Sequence, residues 1–336
     1  MHPRYLILLL VVISIFLSIC AISIGVISIP WQAIYEMIYA KFTGSPVPSQ
    51  WEIYVIPFFQ LRLPRVVLNL IVGATLAICG TAFQAIFRNP ICDPYILGIS
   101  SGASLGAAIA IILGINTLSF GISGFALIGA LLTLIFVLSI SSMGNQKSME
   151  TILLAGIAVN FFICAIITLL IVLHQESLDE ILFWTMGSIA SATWKNVAQL
   201  GSILFISIIW LFFNSKKLNI IQLGQDTAQT VGVNYKQLTM RILIVVSLLI
   251  ACTVANCGVI GFIGLVIPHI SRILVGNNYR NVLIISCLLG GIFCLIADTI
   301  ARTIAAPAEL PVGSITAIVG APYFIILLLS HKYSTK

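Results

Sequence analysis

Residues 214–241 read NSKKLNIIQLGQDTAQTVGVNYKQLTMR and form the longest polar interval after residue 60 of an otherwise mostly apolar chain. Asp226 with Gln229, and Asn234 with Gln237, have the spacing of a helix N-cap followed three residues later by glutamine. Gly232 suits a helix C-terminus, where a left-handed residue is needed. We therefore expect short capped helices and a docking surface for a soluble partner, rather than a plain solvated loop.

Composition assigns the rest of the chain to the membrane. Of the 336 residues, 60% are hydrophobic and only 8% are charged, and the mean hydropathy is +1.14. Apolar runs of about 20 residues have the length of a membrane-crossing helix, whereas a β-barrel would show short alternating segments. We predict an all-α polytopic membrane protein in which residues 1–336 form a single transmembrane domain. Ten spans are expected, at residues 5–29, 61–86, from 94 onward, 118–140, 151–173, 197–213, 238–255, 259–274, 282–301 and 312–329.

The distribution of basic residues predicts the orientation. If the N-terminus is cytoplasmic, eleven of the sixteen Lys and Arg residues lie on the cytoplasmic side and five lie outside. Because positive residues favour cytoplasmic loops, both termini and residues 214–241 are expected to be cytoplasmic. The partner of that segment is then a cytoplasmic protein.

Several kinds of chemistry have no motif in this chain. It contains no GxxxxGK[ST] sequence and no metalloprotease or hydrolase motif, so we expect neither an enzyme nor a P-loop ATPase. Its eight cysteines form no CxxC pair, and no cofactor, resident metal or nucleic acid is expected. Ion-coupled carriers need ionisable groups inside the bilayer, and the candidates are Asp298, near one end of a span, and His269, which we interpret as a helix-end histidine. The energy source is therefore expected in a separate protein that docks on residues 214–241.

Three arginines at the predicted outer side run against the orientation rule. Arg62 and Arg65 share a helix face, and Arg302 follows another span. They could snorkel to lipid phosphates, or they could bind an acidic partner outside through charge-assisted pairs. The residues alone leave both interpretations open.

Three blocks of sequence carry a family resemblance. LRLPRVVLNLIVGATLAICGTAFQAIFRNPICDPYILGISSGASLG (61–106), GVIGFIGLVIPHISRILVGNNYR (258–280) and ADTIARTIAAPAELPVGSITAIVGAPYFIILLL (297–329) resemble the FecCD family. Members are permease subunits of type II ABC importers for iron–siderophore complexes, haem and cobalamin. The resemblance covers nearly the whole chain and implies ten transmembrane helices per subunit in the bacterial inner or cytoplasmic membrane.

The resemblance also implies partners. Two copies of an ABC ATPase would rest on two short coupling helices around residues 223–237. The implied contacts are Leu223, Gly224, Asp226, Ala228, Val231, Gly232, Val233 and Asn234. Arg62, Arg65 and Arg302 would dock a periplasmic or lipid-anchored substrate-binding protein. A second permease subunit, either another copy or a paralogue, would complete the pathway within membrane lipid.

The resemblance places the gate near two turns. Asn89 and Ile91 on one side, and Ser148 and Met149 on the other, would narrow the pathway at its cytoplasmic end. Asn160, on the fifth span, is a candidate for meeting substrate, although we favour a packing or interface role for it. A carried metal would arrive already wrapped in its chelator.

The predicted function is import of an iron complex, specifically a ferric siderophore. Haem and cobalamin are the alternatives within the family. An ion-coupled secondary transporter is a weaker alternative, because neither an intramembrane ion site nor an inverted repeat is found. A structural or signalling membrane protein would leave the outer arginines and the capped inner segment without a role.

Overall fold

The computed structural model describes residues 3–25, 27–115, 121–143 and 149–333, and it confirms the all-α class. The α-helices are α1 Pro3–Ser23, α2 Trp31–Thr43, α3 Glu52–Ile56, α4 Leu63–Ile86, α5 Ile99–Ile112, α6 Gly121–Met143, α7 Met149–Leu173, α8 Leu178–Thr185, α9 Trp194–Phe213, α10 Ser215–Ile221, α11 Gln225–Thr230, α12 Tyr235–Cys257, α13 Ile263–Val275, α14 Tyr279–Ala301 and α15 Val312–Tyr333. Short 3₁₀ turns occupy Ser49–Trp51, Pro94–Leu97 and Gln175–Ser177, and a π-helical turn occupies Pro57–Arg62.

The helices divide by length. Within the described residues, seven helical stretches are long and apolar enough to cross a membrane. Three further apolar helical stretches are shorter: α5 Ile99–Ile112, α13 Ile263–Val275, and Val312–Leu327, which is the first part of α15. A 14-residue helix rises only about 21 Å, less than a typical hydrocarbon core of about 30 Å. The multi-pass prediction is therefore confirmed, while the count of ten spans stays a prediction.

Several predicted boundaries differ from the structure. The first span was expected to end at residue 29, but α1 ends at Ser23. The second span was expected to begin at residue 61, but helical structure runs without a break over Ser49–Ile86. The aromatic and polar residues before residue 61 hide the helical pattern because they are typical of a membrane interface. The predicted span 259–274 begins as a helix only at Ile263, because Gly258 and Phe262 both adopt positive φ in the preceding turn.

Helix α4 is the buried centre of the molecule. It packs against α9, α12, α13 and α14, and small residues permit backbone contact with two of these neighbours. A Cβ atom on Gly73 would lie 2.1 Å from the Gly290 carbonyl oxygen on α14, and one on Gly80 would lie 1.8 Å from the Gly264 carbonyl oxygen on α13. Only glycine fits at these crossings, so α4 and its two partners have a fixed separation.

The peripheral helices keep apolar faces uncovered. In the most apolar 18-residue stretches of α1, α7 and α9, only 22%, 22% and 17% of the residues are buried. Helix α7 exposes Leu154, Phe161 and Phe162, among others. Such faces are expected to lie against lipid or against another membrane helix, since apolar side chains in these quantities are not left in water.

Candidate functional site

The polar segment 214–241 contains two short helices, α10 and α11. Helix α11 lies where the sequence indicated a helix between Asp226 and Gly232, whereas Asn234 opens the long helix α12 rather than a second short helix. Helices α10 and α11 are followed by Asn234, which opens α12 and whose Oδ1 accepts a hydrogen bond from the Gln237 amide at 3.1 Å. The Asn234 cap is confirmed. The Asp226 cap is wrong, because α11 begins at Gln225 after Gly224, whose φ is +112°. Asp226 lies inside the first turn instead, where its carboxylate complements the positive helix end.

The polar segment has one anchored side and one free side. Ala228 on α11 is fully buried, and Val233 packs partly against the core. Leu223 and Val231, at the two ends of α11, are 67% and 62% exposed. Gly232 has φ +79° with open space around it, which confirms the predicted left-handed turn after the helix. The segment therefore presents Leu223 and Val231 outward from a backbone that the core holds in place.

A polar network joins the polar segment to the buried helices. On α10, Asn219 accepts a hydrogen bond from the Tyr279 backbone amide at 2.9 Å, and Gln222 donates to the Tyr279 hydroxyl at 2.8 Å. Tyr279, which opens α14, is fully buried. Its side chain also hydrogen-bonds to Arg272 on α13, and Arg272 donates to the Gln84 side chain on α4.

Gln84 completes this network at the first turn of α13. Its amide nitrogen donates to the carbonyl oxygens of Gly264 and Leu265 at 3.3 and 3.2 Å. The polar segment is thus linked through side chains to α13 and α4, and no motif in the sequence indicated this link.

The network predicts a specific effect for Tyr279→Phe. Removing the hydroxyl leaves the half-buried Gln222 amide without its partner, at a cost of about 1–3 kcal/mol. It also breaks the side-chain hydrogen-bond link between α10 and α13. We expect the variant to assemble but to transport less substrate for each ATP hydrolysed. The ratio of uptake to hydrolysis in reconstituted vesicles measures this, and an unchanged ratio would contradict a coupling role for the hydroxyl.

The Asn-Pro turn, residues 88–93, lies beside the polar segment. The Asn89 side chain accepts a hydrogen bond from the Ile91 amide at 2.9 Å, and Arg88 Nη1 lies 3.3 Å from the position that a Cβ atom would take on Gly224. Asp93 accepts a hydrogen bond from the Tyr95 amide at 2.8 Å. Burial raises the pKa of Asp93 to about 6, although this hydrogen bond opposes the shift.

The structure brings together only some of the residues expected at the gate. Ile91 lines a small cavity of about 80 Å³ together with His269 on α13 and Tyr323 on α15. Met149 begins α7 and packs against the core, outside the lining of that cavity. Asn160 is half-buried on the same helix. Ser148 lies outside the described residues.

The three arginines form one cluster with two acids that the sequence interpretation did not assign to them. Arg65 Nη2 lies 2.8 Å from Asp298 Oδ1, and Arg65 Nη1 lies 2.9 Å from Glu309 Oε1. Arg302 Nε lies 3.8 Å from Asp298 Oδ2. Asp298 is fully buried, and Arg65 and Arg302 are 9% and 5% exposed. Asp298 and Arg302 are four positions apart on the chain, and this helical spacing was the one available signal for the pairing.

The same cluster also closes the end of α1. Arg62 donates to the carbonyl oxygens of Ile22, Ile27 and, at 3.1 Å, Ser23. Arg302 donates to the Ala21 carbonyl. Helix C-termini leave carbonyls without partners and attract positive charge. Burial lowers the pKa of Arg302 from its ordinary value, and the neighbouring Asp298 carboxylate opposes that shift.

Most of the positive charge that was expected to be free at this surface is therefore engaged inside the molecule. Arg65 and Arg302 neutralise the buried carboxylate of Asp298, and Arg62 is half-buried. A cleft of about 360 Å³ reaches all three arginines and Glu309. Docking by Arg62, Arg65 and Arg302 stays a prediction, and Arg62 is the most accessible of the three.

Among the described residues, no group of three or more His, Cys, Asp or Glu side chains lies close enough to hold a metal ion.

Comparison with known proteins identifies the family. The chain matches the FecCD transport family over residues 9–330, and it belongs to that family. It is 40% identical over 321 residues to the ABC transporter permease protein YvrB of Bacillus subtilis, covering 94% of this chain and 90% of YvrB. It is 35% identical over 338 residues to the hemin transport system permease protein HmuU of Yersinia pestis, covering 98% and 97% of the two chains. Further relatives are named for cobalamin import in Halobacterium salinarum, molybdate import in Haemophilus influenzae and Fe(3+)-citrate import in Bacillus subtilis.

A solved structure has the same fold. It is described as an inward-facing conformation of a putative metal-chelate type ABC transporter, and it matches with a TM-score of 0.85 at 31% identity over 98% of this chain and 100% of that chain. The protein is thus an ABC transporter permease with several membrane-spanning helices. As in the rest of its family, it is a transport subunit, and ATP hydrolysis is carried out by a separate ATPase.

Proposed function

We propose that this permease moves an iron complex, a ferric siderophore, across the cytoplasmic membrane of a bacterium. The observation that carries the proposal is the full-length similarity to permeases named for haem and iron-chelate import and to a metal-chelate type transporter. Haem and cobalamin are the alternatives, since relatives at similar identity carry those names.

The ATPase is proposed to bind at α11. The Ala228 side chain of that helix is buried in the core. Leu223 and Val231, which flank the helix, are exposed beside polar side chains. Its N-terminus lies next to Arg88 of the Asn-Pro turn, and α10 connects through Tyr279 to α13. A displacement of α11 by a closing ATPase dimer would therefore reach the Asn-Pro turn and α13, two of the three elements that line the small cavity at Ile91.

Leu223→Asp tests the ATPase contact. Burying a leucine side chain stabilises an interface by about 1.5–3 kcal/mol, and an aspartate there would be desolvated without a partner. We expect the ATPase to bind at least about tenfold more weakly, as measured by its co-purification with the permease. Leu223→Met is the matched control and should retain binding. Equal binding by Leu223→Asp and the control would refute this contact.

A substrate-binding protein is proposed to dock over the arginine cluster on the opposite side of the membrane. Because Arg65 and Arg302 are engaged internally, the charge available to acidic residues of that protein comes mainly from Arg62 and the adjoining cleft. With both termini and the polar segment cytoplasmic, this cleft faces outside, in agreement with the distribution of basic residues.

Arg62→Glu tests the docking surface. Charge reversal at a rim position places like charges together and slows association, so we expect the binding protein to associate more slowly and with less salt dependence. Lys41→Glu is the matched control, since Lys41 is an exposed basic residue assigned to the same side. Association rates at two salt concentrations measure the effect. If Lys41→Glu and Arg62→Glu behave alike, Arg62 has no specific docking role.

A second permease subunit is proposed to cover the exposed face of α7. That face carries Leu154, Phe161 and Phe162, and Asn160 lies beside them on the same helix. A pathway at this interface would pass between two such helices, and it would reach the Asn-Pro turn at its cytoplasmic end.

The experiment for the substrate is a ligand screen with the cognate binding protein. That protein selects the ligand before the permease receives it, so we expect tight binding of a ferric siderophore and weaker binding of haem, cobalamin and molybdate. Tight binding of haem or cobalamin instead would replace the iron–siderophore assignment while leaving the importer intact.

A further inference from the structure

A cavity of about 430 Å³ with a mixed polar and apolar lining lies away from the Asn-Pro turn, the polar segment and the arginine cluster. It is formed by the first turns of α6 and α9 and the last turns of α12, and both α6 and α9 pack against α12 at its floor. Its polar lining residues are Ser123, Lys195, Asn196, Gln199, Ser202 and Asn256. Its volume is that of a small-molecule site rather than of a packing defect.

The walls of the cavity continue into exposed apolar faces of the two helices. Further along α9, Phe205 and Ile206 are 66% and 68% exposed, and along α6, Leu132 and Ile135 are 62% and 60% exposed. Trp194, at the start of α9, donates to the Phe59 carbonyl at 2.9 Å and has the position of an interfacial anchor. Lys195 to Ser202 rises about 10 Å along the helix, so polar groups extend from the interface toward the hydrocarbon.

Hydrogen-bond donors lie at the mouth of the cavity, and acceptors lie deeper in it. Lys195 and Gln199 bring donors to the N-terminal end of α9, where the helix dipole favours an anion. Deeper in the cavity, the Ser202 hydroxyl donates to the Gln199 carbonyl at 2.9 Å, and the Asn256 amide directs one of its two N–H groups to the Cys252 carbonyl at 2.8 Å. Their oxygens are left as acceptors. Leu127 and Ile203 provide the apolar part of the lining.

We propose that this cavity binds the headgroup of an anionic phospholipid whose phosphate lies at Lys195 and whose hydroxyl groups reach Ser202 and Asn256, as in phosphatidylglycerol. The acyl chains lie along the exposed faces of α6 and α9. A lipid is the occupant that satisfies the polar lining and covers the apolar walls at once. Lipid-facing polar groups without such a partner are costly in a bilayer. This site is independent of the substrate that the transporter carries.

The test uses the complete transporter with its ATPase, purified in detergent and exchanged with phosphatidylglycerol or phosphatidylcholine of the same acyl chains. Native mass spectrometry counts the lipids retained. We expect preferential retention of phosphatidylglycerol, a loss of about fivefold in Lys195→Gln, as for one basic residue at a membrane surface, and recovery in Lys195→Arg. Ser202→Phe fills the cavity and should remove the same lipid. Lys41→Gln, which alters an exposed lysine elsewhere, should change nothing.

Three results would overturn the proposal. The first is equal retention of the two lipids by the unmodified transporter. The second is unchanged retention in Lys195→Gln, which decides the question even if Ser202→Phe does not fold. The third is displacement of the lipid by glycerol phosphate at concentrations similar to those of phosphatidylglycerol, which would identify a site for a soluble anion.

Discussion

Replacing Arg65 by methionine is expected to destabilise the isolated permease by about 3–5 kcal/mol, the cost of removing one partner from a buried ion pair. Arg65 holds the fully buried Asp298 at 2.8 Å and also contacts Glu309. The remaining cation, Arg302, lies 3.8 Å from Asp298. Loss of folded protein on heating in detergent measures the effect, and we expect a fall on the order of 10 °C in the midpoint.

Two further variants make the Arg65 prediction specific. Lys236→Met removes an exposed positive charge and should change stability by less than about 0.5 kcal/mol. Arg65→Met combined with Asp298→Leu removes both members of the pair and should recover only part of the lost stability. An apolar pair of similar volume can replace a buried ion pair, but the buried Arg302 loses the Asp298 carboxylate in this variant. A role in docking alone predicts no loss, since no binding protein is present in the measurement. Normal stability of Arg65→Met would therefore contradict the internal role.

Gly80→Ala is expected to have a comparable effect on the crossing of α4 with α13. The added Cβ would lie 1.8 Å from the Gly264 carbonyl oxygen, and both contacting groups are backbone, so no side chain can move aside. We expect a loss of about 3 kcal/mol, at the upper end of the cost of overpacking a core. Transport should fall as well, because α13 carries Leu265 and His269 at the cavity beside Ile91. Thermal stability and uptake are measured together.

Gly261→Ala is the matched control for Gly80→Ala. Gly261 precedes the same helix, nothing lies within 4 Å of the position that its Cβ would take, and its φ is outside the left-handed range. We expect nearly unchanged stability. If the two alanine variants behave alike, close contact between α4 and α13 does not decide stability.

The sequence was sufficient for the class of fold and for local features. Hydropathy predicted a multi-pass helical protein because the apolar residues that cover a membrane helix are contiguous along the chain. The Asn234 cap and the left-handed Gly232 were predictable because a cap and a turn involve residues only a few positions apart. The family was predictable from motif blocks at matching order and spacing.

The ion pairs of Arg65 and the polar network could not be predicted, because they join residues that are distant in the sequence. Arg65 and Asp298 are 233 positions apart, so no local pattern links them, and the arginine appeared to be free charge. The network from Gln222 through Tyr279 to Gln84 joins four helices whose order in space the sequence alone does not give. The Asp226 cap was wrong because α11 begins at Gln225, directly after Gly224 at φ +112°, so Asp226 already lies inside the first turn.

The most direct test of importer function is uptake by the permease reconstituted in vesicles with its ATPase and binding protein. We predict ATP-dependent accumulation of a radiolabelled ferric siderophore that stops when the ATPase or the binding protein is left out. Accumulation driven by an ion gradient without the ATPase would contradict the assignment to an ABC importer. Accumulation of haem, cobalamin or molybdate, with no uptake of ferric siderophores, would contradict the proposed substrate.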